Sequence, residues 1–127
     1  MIRVVCAVIL KKNKILIAQR SEKMKLPLKW EFPGGKLKKG ENEEQAIMRE
    51  IKEELNIEIL PIKRISSHTH DYGSLKINLI AYLCNYISGE INLLEHRDFQ
   101  FVHSEDLKVY DFAEADIPII ENLKTLL

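Results

Sequence analysis

Between Glu43 and Leu55 the chain has no glycine or proline and is made of strong helix formers. Ile47, Ile51 and Leu55 recur at i, i+4 and i+8, so a helix over this segment has one apolar face. Asn56 tolerates the left-handed conformation that commonly ends a helix. Apolar, β-branched runs lie on both sides of this helix. Val4 to Leu10 and Ile15 to Ala18 flank the polar Lys11-Lys12-Asn13-Lys14, which predicts a hairpin. Strands that precede, separate and follow helices restrict the chain to a mixed α/β class.

The remaining segments fill in that outline. Residues 21 to 40 are punctuated by Pro27, Pro33, Gly34, Gly35 and Gly40 and are expected to be irregular. Ile57 to Ile65 alternates loosely. Leu75 to Ile87 predicts a long strand closed by a turn at Ser88-Gly89-Glu90, and Phe99 to His103 a short one. Ser104 and Asp106 suggest a capped helical turn. Asp116 to Leu127 predicts a final helix that offers Ile117, Ile119, Ile120, Leu123 and Leu127 to the core. There is no repeat, linker or low-complexity stretch, so residues 1–127 are expected to form a single domain. At 46% apolar and 30% charged the composition suits a soluble globular protein. Nineteen basic and nineteen acidic residues balance, which argues against a nucleic-acid polymer as partner. No apolar run approaches the ~20 residues of a membrane helix. The opening apolar run lacks a cleavage site and reads as a strand, not as a signal peptide. Cys6 and Cys84 sit in apolar strand-like segments, as buried thiols in a reducing compartment would, so a cytoplasmic location is expected.

The charge is uneven. Between positions 41 and 54 stand six glutamates against Arg49 and Lys52 alone. At ~100° per residue, Glu50, Glu53 and Glu54 share an arc of ~100° beside the apolar stripe. Such a face is either simply solvated or holds a hard divalent cation through carboxylate oxygens, Mg²⁺ being usual where phosphates are bound. The preceding Pro33-Gly34-Gly35-Lys36 favours the cation, because glycines let backbone approach a ligand and Lys36 adds a positive charge.

Gly35, Glu41, Arg49-Glu50-Ile51, Glu53-Glu54 and Asn56-Ile57 stand at the spacing G-x5-E-x7-R-E-U-x-E-E-x-G-U, which resembles the Nudix box, here residues 35–57. The one departure is Asn56 in place of the last glycine. Trp30-Glu31-Phe32-Pro33-Gly34-Gly35-Lys36 resembles the MutT-like branch of that family, and Ala115-Asp116-Ile117-Pro118 its CTP pyrophosphohydrolase subgroup. The resemblance implies an α/β/α sandwich around a mixed β-sheet and hydrolysis of a nucleoside diphosphate linked to another group. It implies Mg²⁺, with Mn²⁺ as substitute, held by Glu50, Glu53, Glu54, the carbonyl of Gly34 and an outlying Glu95. The expected catalytic group is Glu50, Glu53, Arg49 and Glu95. Glu50 is the first candidate for the base, Arg49 orients it, and Glu41 braces the loop. Substrate contacts are expected from Arg20, Gly35 and Lys36 at the phosphates and from Phe32 and Asp116 at the base.

Several of these residues have plainer readings. Arg20 and Glu95 can equally be surface side chains, Phe32 and Tyr72 core aromatics, and Asp116 a cap on the last helix. Trp30 reads as structural. His68 and His70 would face one side of a strand. As a pair they are too few for zinc. The leading function is a nucleoside triphosphate pyrophosphohydrolase acting as a monomer or weak homodimer on CTP, dCTP or a 5-substituted dCTP. An 8-oxo-dGTP hydrolase comes next. A dinucleoside polyphosphate hydrolase has only the position of Tyr72 in its favour. An ADP-ribose hydrolase is not expected, because many such members carry an extra N-terminal segment and the first strand here is expected to begin almost at Met1. A binding module without catalysis is disfavoured because every box glutamate is present.

Overall fold

The computed structural model describes residues 1–126. Two apolar layers lie on opposite faces of one mixed sheet, and the parity of the strand residues assigns each side chain to its layer. The strands are β1 (Ile2–Lys11), β2 (Lys14–Gln19), β3 (Trp30–Glu31), β4 (Gly34–Lys36), β5 (Glu58–Asp71), β6 (Lys76–Ser88) and β7 (Asp98–Val102). Their order is β3-β2-β1-β6-β5, with β4 also paired to β1 and β7 to β2. β1 runs parallel to β6, and the other pairings are antiparallel. Val5, Ala7 and Ile9 of β1, Leu16 of β2 and Ile80 and Cys84 of β6 pack under helix α1 (Glu43–Leu55), against Ile47, Ile51 and Leu55. Cys6, Val8, Ile15, Ile17, Leu79 and Ala81 point to the other face and pack with Ile119, Ile120 and Leu123 of helix α2 (Ile117–Leu126). A strand buried on both faces reads as a continuous apolar run, which is why Val4 to Leu10 does not alternate. The result is the expected α/β/α sandwich around a mixed β-sheet. No helix among the described residues is long and apolar enough to cross a membrane.

The differences from expectation have physical causes. The irregular stretch contains β3 and β4, whose few residues are held by β2 and β1 rather than by their own propensity. β5 continues past Ile65 through a polar segment to Asp71, because its pairing with β6 supplies the backbone bonds. Pro61 is accommodated on this sheet-edge strand beside a register shift. The turn after β7 has His103 at its N-cap with no side-chain bond, so Ser104 does not cap it. Ile117 is exposed and adds nothing to the core. Leu127 lies outside the described residues.

The start and stop of α1 follow its local chemistry. The Asn42 side chain accepts the Gln45 N–H and the Gln45 side chain accepts the Asn42 N–H, a reciprocal capping box. Asn56 ends the helix at φ 59°, ψ 34°, in the left-handed region, with its N–H on the Lys52 carbonyl. Asn56→Ala is therefore expected to lower stability by up to about 1–2 kcal/mol, because alanine lacks the short polar side chain whose local bonding lets asparagine tolerate the left-handed region. Asn56→Gly is expected to be neutral or slightly stabilising. Urea unfolding of both variants checks the pair.

Candidate active site

Backbone close to backbone begins the site. β4 lies against β1 with Gly34 opposite Cys6 and Gly35 opposite Val5. A Cβ on Gly34 would stand 1.9 Å from the Val5 carbonyl oxygen, so no larger residue lets β4 pair here. A Cβ on Gly35 would stand 2.4 Å from the Glu50 carboxylate. The two glycines thus have different tasks: one joins β4 to the sheet, and the other leaves room for a helix carboxylate.

Arg49 organises the helix side. Its Nε and Nη2 donate to the two oxygens of Glu41 at 2.6 and 2.8 Å. Nη1 donates to Glu50 at 2.9 Å and to Glu53 at 3.2 Å, and Nη2 also reaches the Lys36 carbonyl at 3.1 Å. Glu41 further accepts the Lys38 N–H at 2.8 Å. The guanidinium beside it, helped by that N–H, holds the Glu41 carboxyl down to about 2. Arg49 thereby ties the loop after β4 to α1 and fixes the Glu50 carboxylate. Glu53 points outward, about half exposed, between Arg49 and Lys38. Glu43 is engaged elsewhere, by Arg3, Arg64 and the Tyr82 hydroxyl.

Glu54 is buried. Burial, a hydrogen bond with Glu50 and the charges of Glu31, Glu50 and Glu95 push its carboxyl far above the usual range. Such a crowd of carboxylates, all oxygen donors, has the chemistry of a hard-cation site. Among the described residues no three or more His, Cys, Asp or Glu side chains are gathered into a ready metal-binding group. The side chains account for this: Arg49 holds Glu50 and Glu53, while Glu54 faces inward. Glu95 is exposed on the β6–β7 loop and lines the same cavity as Glu54. His96 and Glu31, which the sequence did not single out, stand beside them. His96 Nε2 lies 2.7 Å from a Glu31 oxygen. Their only sequence signals were, for His96, adjacency to Glu95 and, for Glu31, its place in the Trp30-Glu31-Phe32-Pro33-Gly34-Gly35-Lys36 string.

The cavity measures about 520 Å³. Glu31, Glu54 and Glu95 line it together with Gly34, Gly35 and Lys36 of β4, and with Phe32, Tyr72, Leu79 and Asp116. Arg20 lines it too, but its guanidinium is tied to Glu31 at 2.8 Å and to the Lys25 carbonyl. Lys36, exposed on β4, is the better placed cation. Phe32 is buried and packs on Phe112 at 5.2 Å, so it is both core aromatic and cavity wall. Trp30 is structural as expected: it packs edge-on against Tyr110, and its backbone bonds Asp111 and Ala113. That clamp brings Asp116 to the Phe32 backbone, whose N–H it accepts at 2.7 Å. This is the bond the side chain makes, in place of the helix cap that was its plainer reading. Burial and the Glu31 charge push the Asp116 carboxyl up to about 8, against the Phe32 N–H and Arg20. His70 packs edge-on against Tyr72, and His68 bonds Asn122 of α2.

Comparison with known proteins agrees with this geometry. Residues 4–122 match the family described as the NUDIX domain. The chain is 36% identical over 126 residues to a CTP pyrophosphohydrolase of Escherichia coli, covering 99% of this chain and 93% of that protein. It is 32% identical to an 8-oxo-dGTP diphosphatase of Buchnera aphidicola, covering 98% and 94%. The solution structure of the E. coli ORF135 protein superposes with a TM-score of 0.89 at 36% identity, covering 99% of this chain and 90% of that one.

Two predictions come from the geometry. Gly34→Ala drives a Cβ into backbone and is expected to abolish folding. Gly35→Ala meets only a carboxylate tip and is expected to keep its melting temperature within a few degrees. It should still lose about 10²-fold in kcat through a displaced Glu50. Circular dichroism and single-turnover rates separate the two. The second concerns Asp116. Its carboxyl is protonated in the folded chain up to about pH 8, against an ordinary value of 3.8. Between those values the folded state holds the extra proton, so this group makes stability fall as pH rises through that window. Asp116→Asn is expected to flatten that part of the stability profile, as read from urea midpoints between pH 4 and 9.

Proposed function

The chain belongs to the Nudix domain family, and from that premise we propose that it is a divalent-metal-dependent pyrophosphohydrolase that converts a free nucleoside triphosphate to the monophosphate and pyrophosphate. The observation that carries this reading is one cavity lined by Glu54 of the acidic face and by Glu95, by Gly34, Gly35 and Lys36, and by Phe32 and Asp116. The crowded, buried Glu54 carboxyl fits a cation site. Glu50, Glu53, Glu54, Glu95 and the Gly34 carbonyl would hold Mg²⁺, or Mn²⁺ in its place. When bound, the ion offsets phosphate charge and lowers the pKa of a coordinated water. Glu50, oriented by Arg49, takes a proton from the attacking water. Lys36 and Gly35 meet the phosphates, with Arg20 next to them through its pair with Glu31. Phe32 forms an apolar wall for the base.

The base is read by Asp116. A neutral carboxyl offers one donor and one acceptor. Cytosine presents an amino donor beside a ring acceptor, so the neutral acid matches it at two points where an ionised acid would match at one. We therefore assign CTP, dCTP or a 5-substituted dCTP as substrate, in keeping with the activity named for the E. coli relative. The same donor and acceptor also suit a purine edge. That, with the name of the Buchnera relative, keeps 8-oxo-dGTP as the second reading.

The test is kcat/KM for CTP, dCTP and 8-oxo-dGTP, with pyrophosphate as the measured product, in the wild type and Asp116→Asn at pH 7 and 9. Cytosine nucleotides are expected to lead. Wild-type discrimination for cytosine should weaken above about pH 8, where Asp116 ionises, while the Asn variant keeps it. A large preference for 8-oxo-dGTP overturns the cytosine assignment and leaves the hydrolase standing. Activity should vanish in excess chelator and return with Mg²⁺ or Mn²⁺. Full turnover in chelator removes the metal assignment.

A further inference from the structure

Among the described residues the buried polar side chains are Glu54, His96 and Asp116, and His96 is the one that the proposed mechanism does not use. Its side chain is 1% exposed. The loop that carries it is fastened on both sides. Asn92 and Leu94 donate their N–H groups to the Leu55 and Glu54 carbonyls at the end of α1, at 3.0 and 3.2 Å, and Arg97 donates to the Gln19 carbonyl of β2 at 2.9 Å. The imidazole therefore has a fixed seat. Nε2 stands 2.7 Å from one Glu31 oxygen, while the other Glu31 oxygen accepts from Arg20 at 2.8 Å. Nδ1 has no hydrogen-bond partner in its buried position and lies 3.8 Å from a Glu54 oxygen. A buried ring nitrogen without a partner carries a free-energy penalty. This one faces the carboxylate that the proposed function places on the cation.

We propose that His96 is a positioning residue, wedged between Glu31 and Glu54 so that the cation-holding end of α1 and the nucleotide cavity are built in register. The inference rests on the assignment of Glu54 to the metal. Without the imidazole, Glu54 keeps its hydrogen bond with Glu50 but loses the ring packed beside its carboxylate, and Glu31 keeps only Arg20. A bridge of this kind supports a ligand from behind, and loss of such a support typically costs 10–100-fold in metal affinity or activity. A histidine that merely filled space would affect stability and leave metal affinity alone.

The experiment measures Mn²⁺ affinity by electron paramagnetic resonance on nucleotide-free protein, with kcat and KM measured in parallel. The proteins are wild type, His96→Leu, His96→Gln, Glu31→Gln and Glu54→Gln, together with the His96–Glu31 double variants. His96→Leu is expected to weaken Mn²⁺ binding by about 10-fold or more and to lower kcat more than it raises KM. His96→Gln, whose amide can still donate to Glu31, is expected to recover most of both. Glu31→Gln is expected to add little to His96→Leu, because the link is already cut. Should His96→Leu not fold, the same cycle is read from His96→Asn, whose shorter amide does not reach Glu31, and Glu31→Gln. Wild-type Mn²⁺ affinity in both His96 variants, or full additivity with Glu31→Gln, overturns the positioning role. If Glu54→Gln itself binds Mn²⁺ like the wild type, the metal assignment has failed instead.

Discussion

The Arg49 guanidinium is the contact on which the rest of the site depends. It donates from all three nitrogens, to Glu41, Glu50, Glu53 and the Lys36 carbonyl. A lysine could not replace it, because the grip on Glu41 is bidentate and needs the planar fork. Three segments meet at this one side chain: the end of β4, the loop that carries Glu41, and the acidic face of α1. The Glu41 carboxyl, held down to about 2, keeps its charge under all but strongly acid conditions. The brace therefore stays in place while other carboxyls in the site titrate.

The sheet then determines what can meet what. α1 packs on one face and α2 on the other, and β1 contributes alternate residues to each. Glu50 and Glu54 come from the α1 side. Cys6, Phe32, Leu79 and Ala115, which line the cavity, belong to the α2 side. The two sides come together beside β4, where Gly34 and Gly35 put no side chain in the way. In the proposed function, chemistry and base recognition would thus be built from opposite layers and share one short glycine strand as their boundary. The β6–β7 loop crosses the same boundary, with Glu95 in the cavity and His96 behind Glu54.

How much of this the sequence contained depends on the range of each interaction. The extent of α1 was legible, because its run of helix formers, its stripe and its left-handed stop are all local signals, whereas the Asn42 cap was found only in the structure. The box glutamates and Arg49 were legible for the same reason: their spacing lies within one short segment. β3, β4 and the far half of β5 were not, since Ser66 to Asp71 carry no apolar pattern and are strand only through β6. Asp116 invited the reading of a cap from its neighbours, yet its bond goes to Phe32, 84 residues away in sequence. His96 and Glu31 are 65 residues apart, and neither is unusual where it stands. Residue identity places a group on an element, whereas only the folded chain says which distant group it faces.

The proposed base recognition takes that argument one step further. By identity alone Asp116 is an ionised acceptor, and on that footing cytosine would be met through its amino group only. Burial and the nearby Glu31 change the chemical species instead of the residue, leaving an acid that donates and accepts near neutral pH. Glu31 therefore has two effects. It raises the Asp116 carboxyl, and it also contacts His96, which lies beside Glu54 of α1. In the proposed function a substitution at Glu31 would accordingly disturb base choice and cation affinity together, acting through Asp116 and His96. In this arrangement the specificity of the cavity and the strength of the acidic site are not independent properties of separate residues, because one carboxylate sets the environment of both.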